Sequence, residues 1–191
     1  MDTQLSRFQV FIQEKPGSPF QDVGSVHAAD VELALLNARD VFARRPECSA
    51  MWVVPVEAIY SKTAEELAGE EMSHNGDPPV EMRHPSKPVM YHVFCKAQSA
   101  GTQTWVGSVQ AGSPQEALQR GIEQFSSKPE PFAWWVLPAS AVYATREAEA
   151  PSFFEPARNK TFRLSSDFRT VSAMRKIRRK GAGQTEGKNG S

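Results

Sequence analysis

Two short segments of the chain alternate apolar and polar residues. In RFQVFIQ (7–13) every second residue from Phe8 onward is apolar, and MYHVFCK (90–96) shows the same alternation. A period of two is typical of a strand with one buried face. After a turn-rich loop, VGSV (23–26 and 106–109) predicts a second strand. Each pair of strands is therefore expected to form a hairpin with a long loop.

The apolar period then changes to three and four residues. Six apolar residues within 31–42 fall on one stripe and predict an amphipathic helix: Val31, Ala34, Leu35, Ala38, Val41 and Phe42. Asp30 is placed to cap its first turn. In the second half, SPQE (113–116) offers a cap residue, a proline at the first helical position and a glutamate for a capping box. MWVVP (51–55) and WWVLP (134–138) are wholly apolar and predict strands buried on both faces.

The two halves of the chain repeat each other. Residues 8–60 align with residues 91–143 without a gap, and 18 of the 53 positions are identical. Chance does not give an ungapped match of this kind, so the sequence predicts a tandem duplication. Each unit is expected to have the order β-β-α-β, followed by a short turn or helix around 57–60 and 140–143.

One unit of about 60 residues buries too little surface to be stable alone. The predicted fold class is therefore α+β, with two tandem β-β-α-β repeats forming a pseudo-dimer, a mainly antiparallel sheet and helices packed on it. Two independent units are the alternative. The predicted domains are a first repeat (1–66), a polar, proline-rich connector (67–88), a second repeat with a C-terminal extension (89–168) and a disordered basic tail (169–191).

Charge and composition limit the classes of partner. The 22 basic and 22 acidic residues cancel, which gives no general reason to expect a nucleic acid or membrane partner. Residues 169–191 hold seven basic residues and one acidic residue, so the rest of the chain is acidic. The first residues do not resemble a signal peptide, and no run of 18 apolar residues occurs, so a cytoplasmic location is expected. Cys48 and Cys95 are predicted to be free thiols.

Few residues suggest catalytic chemistry. The connector carries two Glu-x-x-His patterns, at 71–74 and 81–84, the spacing of ligands in di-iron proteins. An Asn-Gly pair and a Pro-Pro pair separate them, so coincidence in a polar linker is the favoured interpretation. His27 aligns with Gln110, an exchange that suits a hydrogen-bonding role and not a catalytic base. The residues alone therefore predict a binding or assembly module with no catalytic, metal-binding or cofactor-binding residues.

The stretch VGSVHAADVELALLNARDVFARRPECSAMWVV (23–54) closely resembles the small B subunit of the phenylacetyl-CoA epoxidase complex, a multicomponent oxygenase of bacterial phenylacetate degradation. The shared motifs are a VGS-x-HAAD junction, an ALxNARDxFxRR helix and a WVV strand. FFEPARNKTFR (153–163) resembles the closing segment of that family. In the second unit Gly107 and Trp135 match, whereas the HAAD and NARD positions have drifted. The usual member is a single unit of about half this length, so the chain resembles a tandem version.

The resemblance implies a non-catalytic subunit that holds no cofactor. It would bridge the di-iron catalytic subunit and its structural relative in a complex that uses O2 and NADPH to epoxidise the ring of phenylacetyl-CoA at the 1,2 position. The di-iron centre and a flavin and iron–sulfur reductase would belong to partner subunits. Self-association is a further expectation. The residues predicted to bind partners are His27, Asp30, Arg39, Arg44, Arg45, Phe153, Phe154 and Arg163.

Two other functions stay open from the sequence. One is a stand-alone enzyme that uses the glutamates and histidines of the connector. The other is a stand-alone α+β binding module for a nucleic acid or a small ligand, with the basic tail as the nucleic-acid contact. The acidic character of residues 1–168 argues against nucleic acid.

Overall fold

Two hairpins, each followed by a helix and a third strand, form the frame of the protein. The structure is a computed structural model that describes residues 5–43, 48–73, 87–126 and 129–158. The first half contains β1 (Ser6–Gln13), β2 (Gln21–Ala28), α1 (Val31–Phe42), β3 (Ala50–Pro55), β4 (Tyr60–Thr63) and α2 (Ala64–Ser73). The second half contains β5 (Val89–Lys96), β6 (Thr104–Ala111), α3 (Pro114–Phe125), β7 (Ala133–Pro138), β8 (Tyr143–Ala144) and α4 (Ala150–Arg158). The predicted β-β-α-β order is therefore confirmed in both halves.

The helix starts follow the capping chemistry that the sequence predicts. The Asp30 carboxylate accepts a hydrogen bond of 2.8 Å from the backbone N–H of Leu33 at the start of α1. At the start of α3 the Ser113 hydroxyl accepts from the backbone N–H of Glu116 at 3.2 Å. The Glu116 carboxylate reaches back to the backbone N–H of Gly112 at 2.7 Å, one residue earlier than a standard capping box requires.

The region after β3 differs from the sequence prediction. A 3-10 turn at Val56–Ala58 matches the expected turn, but the chain then forms β4 and α2, so residues 67–73, at the start of the predicted polar connector, are helical. The cause is a capping box in which the Thr63 hydroxyl accepts from the N–H of Glu66 at 3.2 Å and the Glu66 carboxylate accepts from the N–H of Thr63 at 2.7 Å. The other predicted domain boundaries stay predictions.

The eight strands form one antiparallel sheet in which the two halves exchange strands. The order is β4-β7-β5-β6-β2-β1-β3-β8. Strand β4 of the first half pairs with β7 of the second half, and β8 of the second half pairs with β3 of the first. The exchange is reciprocal, so each half completes the sheet of the other. Two half-sheets result: β2-β1-β3-β8 is the first half-sheet, and β6-β5-β7-β4 is the second.

The two half-sheets face each other across a shared core. They are joined where β2 meets β6, at the single residue pair of Gln21 with Thr104. In a flat sheet β1 and β5 would lie about 14 Å apart, three strand spacings. The rings of Phe11 on β1 and Phe94 on β5 nevertheless lie 4.4 Å apart, so the sheet folds over on itself. The buried residues of this central cluster are Phe11, Phe20, Val54, Phe94 and Leu137.

Helices cover the outer faces of both half-sheets. Helix α1 packs on the first half-sheet, where α4 from the second half adds Phe154 and Ala157 to the core. Helix α3 packs on the second half-sheet, where α2 from the first half adds Leu67. The last helix of each half, α2 or α4, thus packs on the half-sheet of the other half, as strands β4 and β8 do. Each fully buried valine, leucine, isoleucine, phenylalanine or methionine side chain of these clusters contributes about 1.5–3 kcal/mol to folding.

Candidate functional site

The outer face of α1 exposes large apolar side chains. Leu33 and Leu36, one turn apart on the outer side of α1, are 40% and 42% exposed, and Val41 near the end of the helix is 62% exposed, whereas Ala34 and Ala38 are fully buried. Several exposed apolar side chains on one helix are typical of a protein-binding surface. We refer to Leu33, Leu36 and Val41 as the α1 patch.

The equivalent helix of the second half provides an internal comparison. At the offset of 83 residues the three members of the α1 patch correspond to Glu116, Gln119 and Gln124 on α3. Gln119 and Gln124 are exposed to solvent. The two helices therefore share a buried face and differ on the outer face, which is apolar on α1 and polar on α3.

A free strand edge borders each helix. Strands β2 and β6 run apart beyond the pair Gln21 and Thr104, so no described strand pairs with the rest of their inner edges. The side-chain amide of Asn37 donates to the His27 carbonyl on the edge of β2 at 3.2 Å, and the Arg120 guanidinium donates to the corresponding Gln110 carbonyl on β6. Beside β6 lies an open groove of about 490 Å³, lined by Ser108, Val109, Gln110, Arg120, Glu123 and Gln124.

The structure separates the predicted partner-binding residues into four groups, of which Arg39 and Phe153 are the last. His27 and Asp30 are exposed at the junction of β2 and α1. The His27 position bonds through its backbone carbonyl, as Gln110 does, so the hydrogen-bonding role predicted for these two positions belongs to the backbone. Phe154 is 1% exposed, and its ring packs in the core below α1 instead of facing solvent. The predicted residues outside the described ranges are Arg44, Arg45 and Arg163.

Arg39 and Phe153 tie α1 to α4. The Arg39 guanidinium lies 5.3 Å from the centre of the Phe153 ring and 3.5 Å from the Phe153 carbonyl oxygen, to which it donates. It also forms an ion pair of 3.1 Å with Asp40. The Arg39 side chain is only 17% exposed. These contacts give Arg39 a structural role beside the α1 patch, where it holds α4 against α1.

A polar cluster lies between the half-sheets. The Gln9 amide donates to Asp22, whose carboxylate also accepts from the Gly24 N–H at 3.0 Å. On the other half-sheet, Nδ1 of His92 lies 2.9 Å from the Ser108 hydroxyl, and the His92 ring lies 4.8 Å from that of Trp52. Burial raises the pKa of Asp22 and lowers the pKa of His92, because both charged forms lose hydration.

Two polar atoms in the same region have no hydrogen-bond partner among the described residues. They are Oε1 of Gln103, a residue only 3% exposed, and Nε1 of Trp105. Both residues sit where the half-sheets join, because the Gln103 carbonyl accepts from Asp22 and the Trp105 N–H donates to Phe20. The composition of the cluster suits the joining of two sheets.

The described residues do not gather metal ligands. Within 5–43, 48–73, 87–126 and 129–158, no group of three His, Cys, Asp or Glu side chains could hold a metal ion. Cys48 and Cys95 are free thiols, as predicted. The Glu-x-x-His patterns of the connector fall outside the side chains that the structure describes. No helix of the described chain is long and apolar enough to cross a bilayer.

The fold and surface define a class: an α+β protein of two like units whose prominent exposed feature is an apolar helix face. The chain belongs to the phenylacetic acid degradation B family, whose model matches residues 4–76 and 88–175. The two matched segments are compatible with a tandem arrangement of one family unit. The first matched segment contains α1, and the second contains α3 and α4.

One curated relative matches part of the chain. Over 59 residues the chain is 44% identical to the B subunit of 1,2-phenylacetyl-CoA epoxidase from Escherichia coli (strain K12). The match covers 31% of this chain and 62% of the relative, so the chain spans less than two thirds of that relative's length. No solved structure matches the chain.

Proposed function

We propose that the protein is a non-catalytic assembly subunit of a multicomponent oxygenase that epoxidises the ring of phenylacetyl-CoA. Membership of the phenylacetic acid degradation B family is the observation that carries this proposal. The 44% sequence identity to a protein named as the B subunit of 1,2-phenylacetyl-CoA epoxidase supports phenylacetyl-CoA as the substrate of the complex. The expected partners are the di-iron catalytic subunit and its structural relative. The proposed location of this protein is the cytoplasm.

In this proposal the chain works as a single-chain pseudo-dimer. The reciprocal pairing of β4 with β7 and of β8 with β3 supports it, because each half then completes the other's sheet. Fusion of the halves makes their association intramolecular, at an effective concentration near millimolar for a short linker. A rigid body with two pseudo-equivalent faces has the geometry of a spacer between other proteins.

The oxidation chemistry would reside in partner subunits. A di-iron centre takes glutamate and histidine ligands from several helices of a bundle. The described helices of this chain pack on the half-sheets, α1 with α4 on the first and α2 with α3 on the second, and they do not form a bundle. In the proposal the di-iron centre, the flavin and the iron–sulfur cluster belong to other chains, and this protein would supply surfaces that hold those chains together.

Co-purification tests the proposal. The tagged chain is expressed with the catalytic and structural subunits of the epoxidase from the same source, and the proteins that elute with it are identified. We expect a defined complex with both subunits, and no iron in the tagged chain purified alone. A chain that never associates with those subunits, or one that binds stoichiometric iron by itself through the connector residues, would contradict the proposal.

A further inference from the structure

We propose that the α1 patch is the docking surface for another subunit of the oxygenase and that the chain offers this surface once. This inference rests on the proposed function and adds the face, the stoichiometry and the chemistry of the contact. The occupant is a segment of the partner with an apolar stripe and basic flanking residues, seated on Leu33, Leu36 and Val41.

The contrast between α1 and α3 is the first step. Both helices pack the same face on their half-sheets, so burial explains their shared residues. Burial does not explain the outer faces, where solvent favours polar residues on both helices. Glu116 and Gln119 on α3 follow that rule, whereas their counterparts on α1 are leucines. A surface that stays apolar in one repeat alone indicates a contact made by that repeat alone.

The charge around the patch indicates the chemistry of the partner. Asp30 and Glu32 are exposed at the N-terminal end of α1, whereas Asp40 near Leu36 is already paired with Arg39. Arg39 is mostly buried against Phe153 and Asp40, so it does not offset Asp30 and Glu32 at the surface. An apolar patch with acidic neighbours is complementary to an apolar segment with lysine or arginine beside it.

A second copy of the chain fits the patch less well. A stable interface needs about 800 Å² and about 20–30 residues from each partner. Helix α1 has 12 residues, and about half of them face the core. Two copies that met through α1 would fall short of that size. A larger partner can extend its contact from the patch onto the free edge of β2, next to His27 and Asn37.

The test is a matched pair of lysine substitutions in the full chain. Leu36→Lys places a charge in the α1 patch, and Gln119→Lys places it at the equivalent position of α3. Lysine is a good helix former, and both positions are solvent-exposed, so both variants are expected to fold with unchanged circular dichroism. Binding to the purified catalytic and structural subunits of the epoxidase is then measured by calorimetry.

We expect the subunit that occupies the α1 patch to bind once per chain, about tenfold or more weakly to Leu36→Lys, and within about twofold of wild type to Gln119→Lys. Wild-type affinity in Leu36→Lys, or equal losses in both variants, would overturn the inference while the proposed function stands. A wild-type chain that binds neither subunit would instead overturn the proposed function.

Two further measurements test the chemistry of the occupant. Glu32→Gln gives α1 the residue that α3 has at this position, Gln115, and is expected to weaken binding about two- to fivefold at low salt and not at high salt. Unchanged binding at low salt would refute the basic partner. Analytical ultracentrifugation should show a monomer. A dimer that Leu36→Lys dissociates would assign the patch to a second copy and overturn the inference.

Discussion

The VGS motif requires glycine because a phenylalanine ring of the following helix lies against it. A Cβ on Gly24 would come within 3.2 Å of the Phe42 ring, and Gly24 also has a φ of 125°, which side chains rarely adopt. A Cβ on Gly107 would overlap the Phe125 ring. The glycine and the phenylalanine that are identical in the two repeats are thus in contact, which gives both matches one steric cause. The alignment of the two repeats alone did not reveal this contact.

Gly107→Ala should therefore destabilise the fold. The added methyl must displace the Phe125 ring, and overpacking of this kind costs about 1–3 kcal/mol of unfolding free energy. Gly69→Ala is the control, because Gly69 lies in α2 with open space around its Cα, and alanine should add about 0.5–1 kcal/mol there. Urea unfolding measures both. Equal effects in the two variants would contradict the steric account.

The buried imidazole of His92 should make stability depend on pH. Burial lowers its pKa, so the unfolded chain binds the proton more readily, and stability is lost as pH falls below the unfolded value of about 6.5. In His92→Gln, which copies Gln9 of the first repeat, that loss is absent. The stability of the wild type relative to the variant should fall between pH 7.5 and pH 5 in urea unfolding. A constant difference would refute the effect.

Asp22 acts in the opposite direction. Burial raises its pKa above 3.8, so the folded state binds the proton more tightly, and its contribution to stability declines as pH rises through the folded value. Because Asp22 is present in both the wild type and His92→Gln, its contribution largely cancels in that comparison. The difference between the two proteins therefore reports on His92.

At the scale of elements, the helix caps determine where the helices begin. The cap on α1 is Asp30, which the sequence predicted, and the cap on α2 is the Thr63 and Glu66 pair, which the sequence-based prediction missed. Strands β4 and β8 were not predictable. They have four residues and two residues, and their pairing depends on partners from the other half. Short strands of this kind carry no periodic signal.

The Asp30 cap can be tested separately from any role in binding. Asp30→Ala removes the acceptor for the Leu33 N–H and should lower the unfolding free energy by about 1 kcal/mol. Asp30→Asn keeps an acceptor of similar capping strength and removes the charge, so its stability should stay within a few tenths of a kcal/mol. Equal destabilisation in both variants would show that the charge, and not the cap, is what stabilises α1.

At the scale of the whole molecule, strand exchange couples the two repeats. The hydrophobic periods and the internal repeat of the sequence predicted the two repeats, the order of their elements and their antiparallel strands. They did not predict that the half-sheets fold against each other. That packing is visible in the contact of Phe11 with Phe94, which no local sequence pattern encodes. The polar outer face of α3 and the apolar outer face of α1 were visible in the sequence. Their meaning required the structure, which shows that both faces point to solvent.

This coupling predicts one cooperative unfolding transition. Each half contributes a strand and a helix to the other, so neither half can unfold and leave the other intact. Calorimetry should give a calorimetric enthalpy equal to the van't Hoff enthalpy, and Phe94→Ala should shift the whole transition to lower temperature by removing about 3–5 kcal/mol. Two separable transitions would show that the repeats are independent units.

Native mass spectrometry of the epoxidase subunits, recorded with and without this chain, tests the central claim most directly. If the chain is an assembly subunit, its addition should convert the free catalytic and structural subunits into one larger complex that contains it in fixed ratio. Spectra in which the subunits keep the same masses, with the chain always as a separate species, would contradict the account.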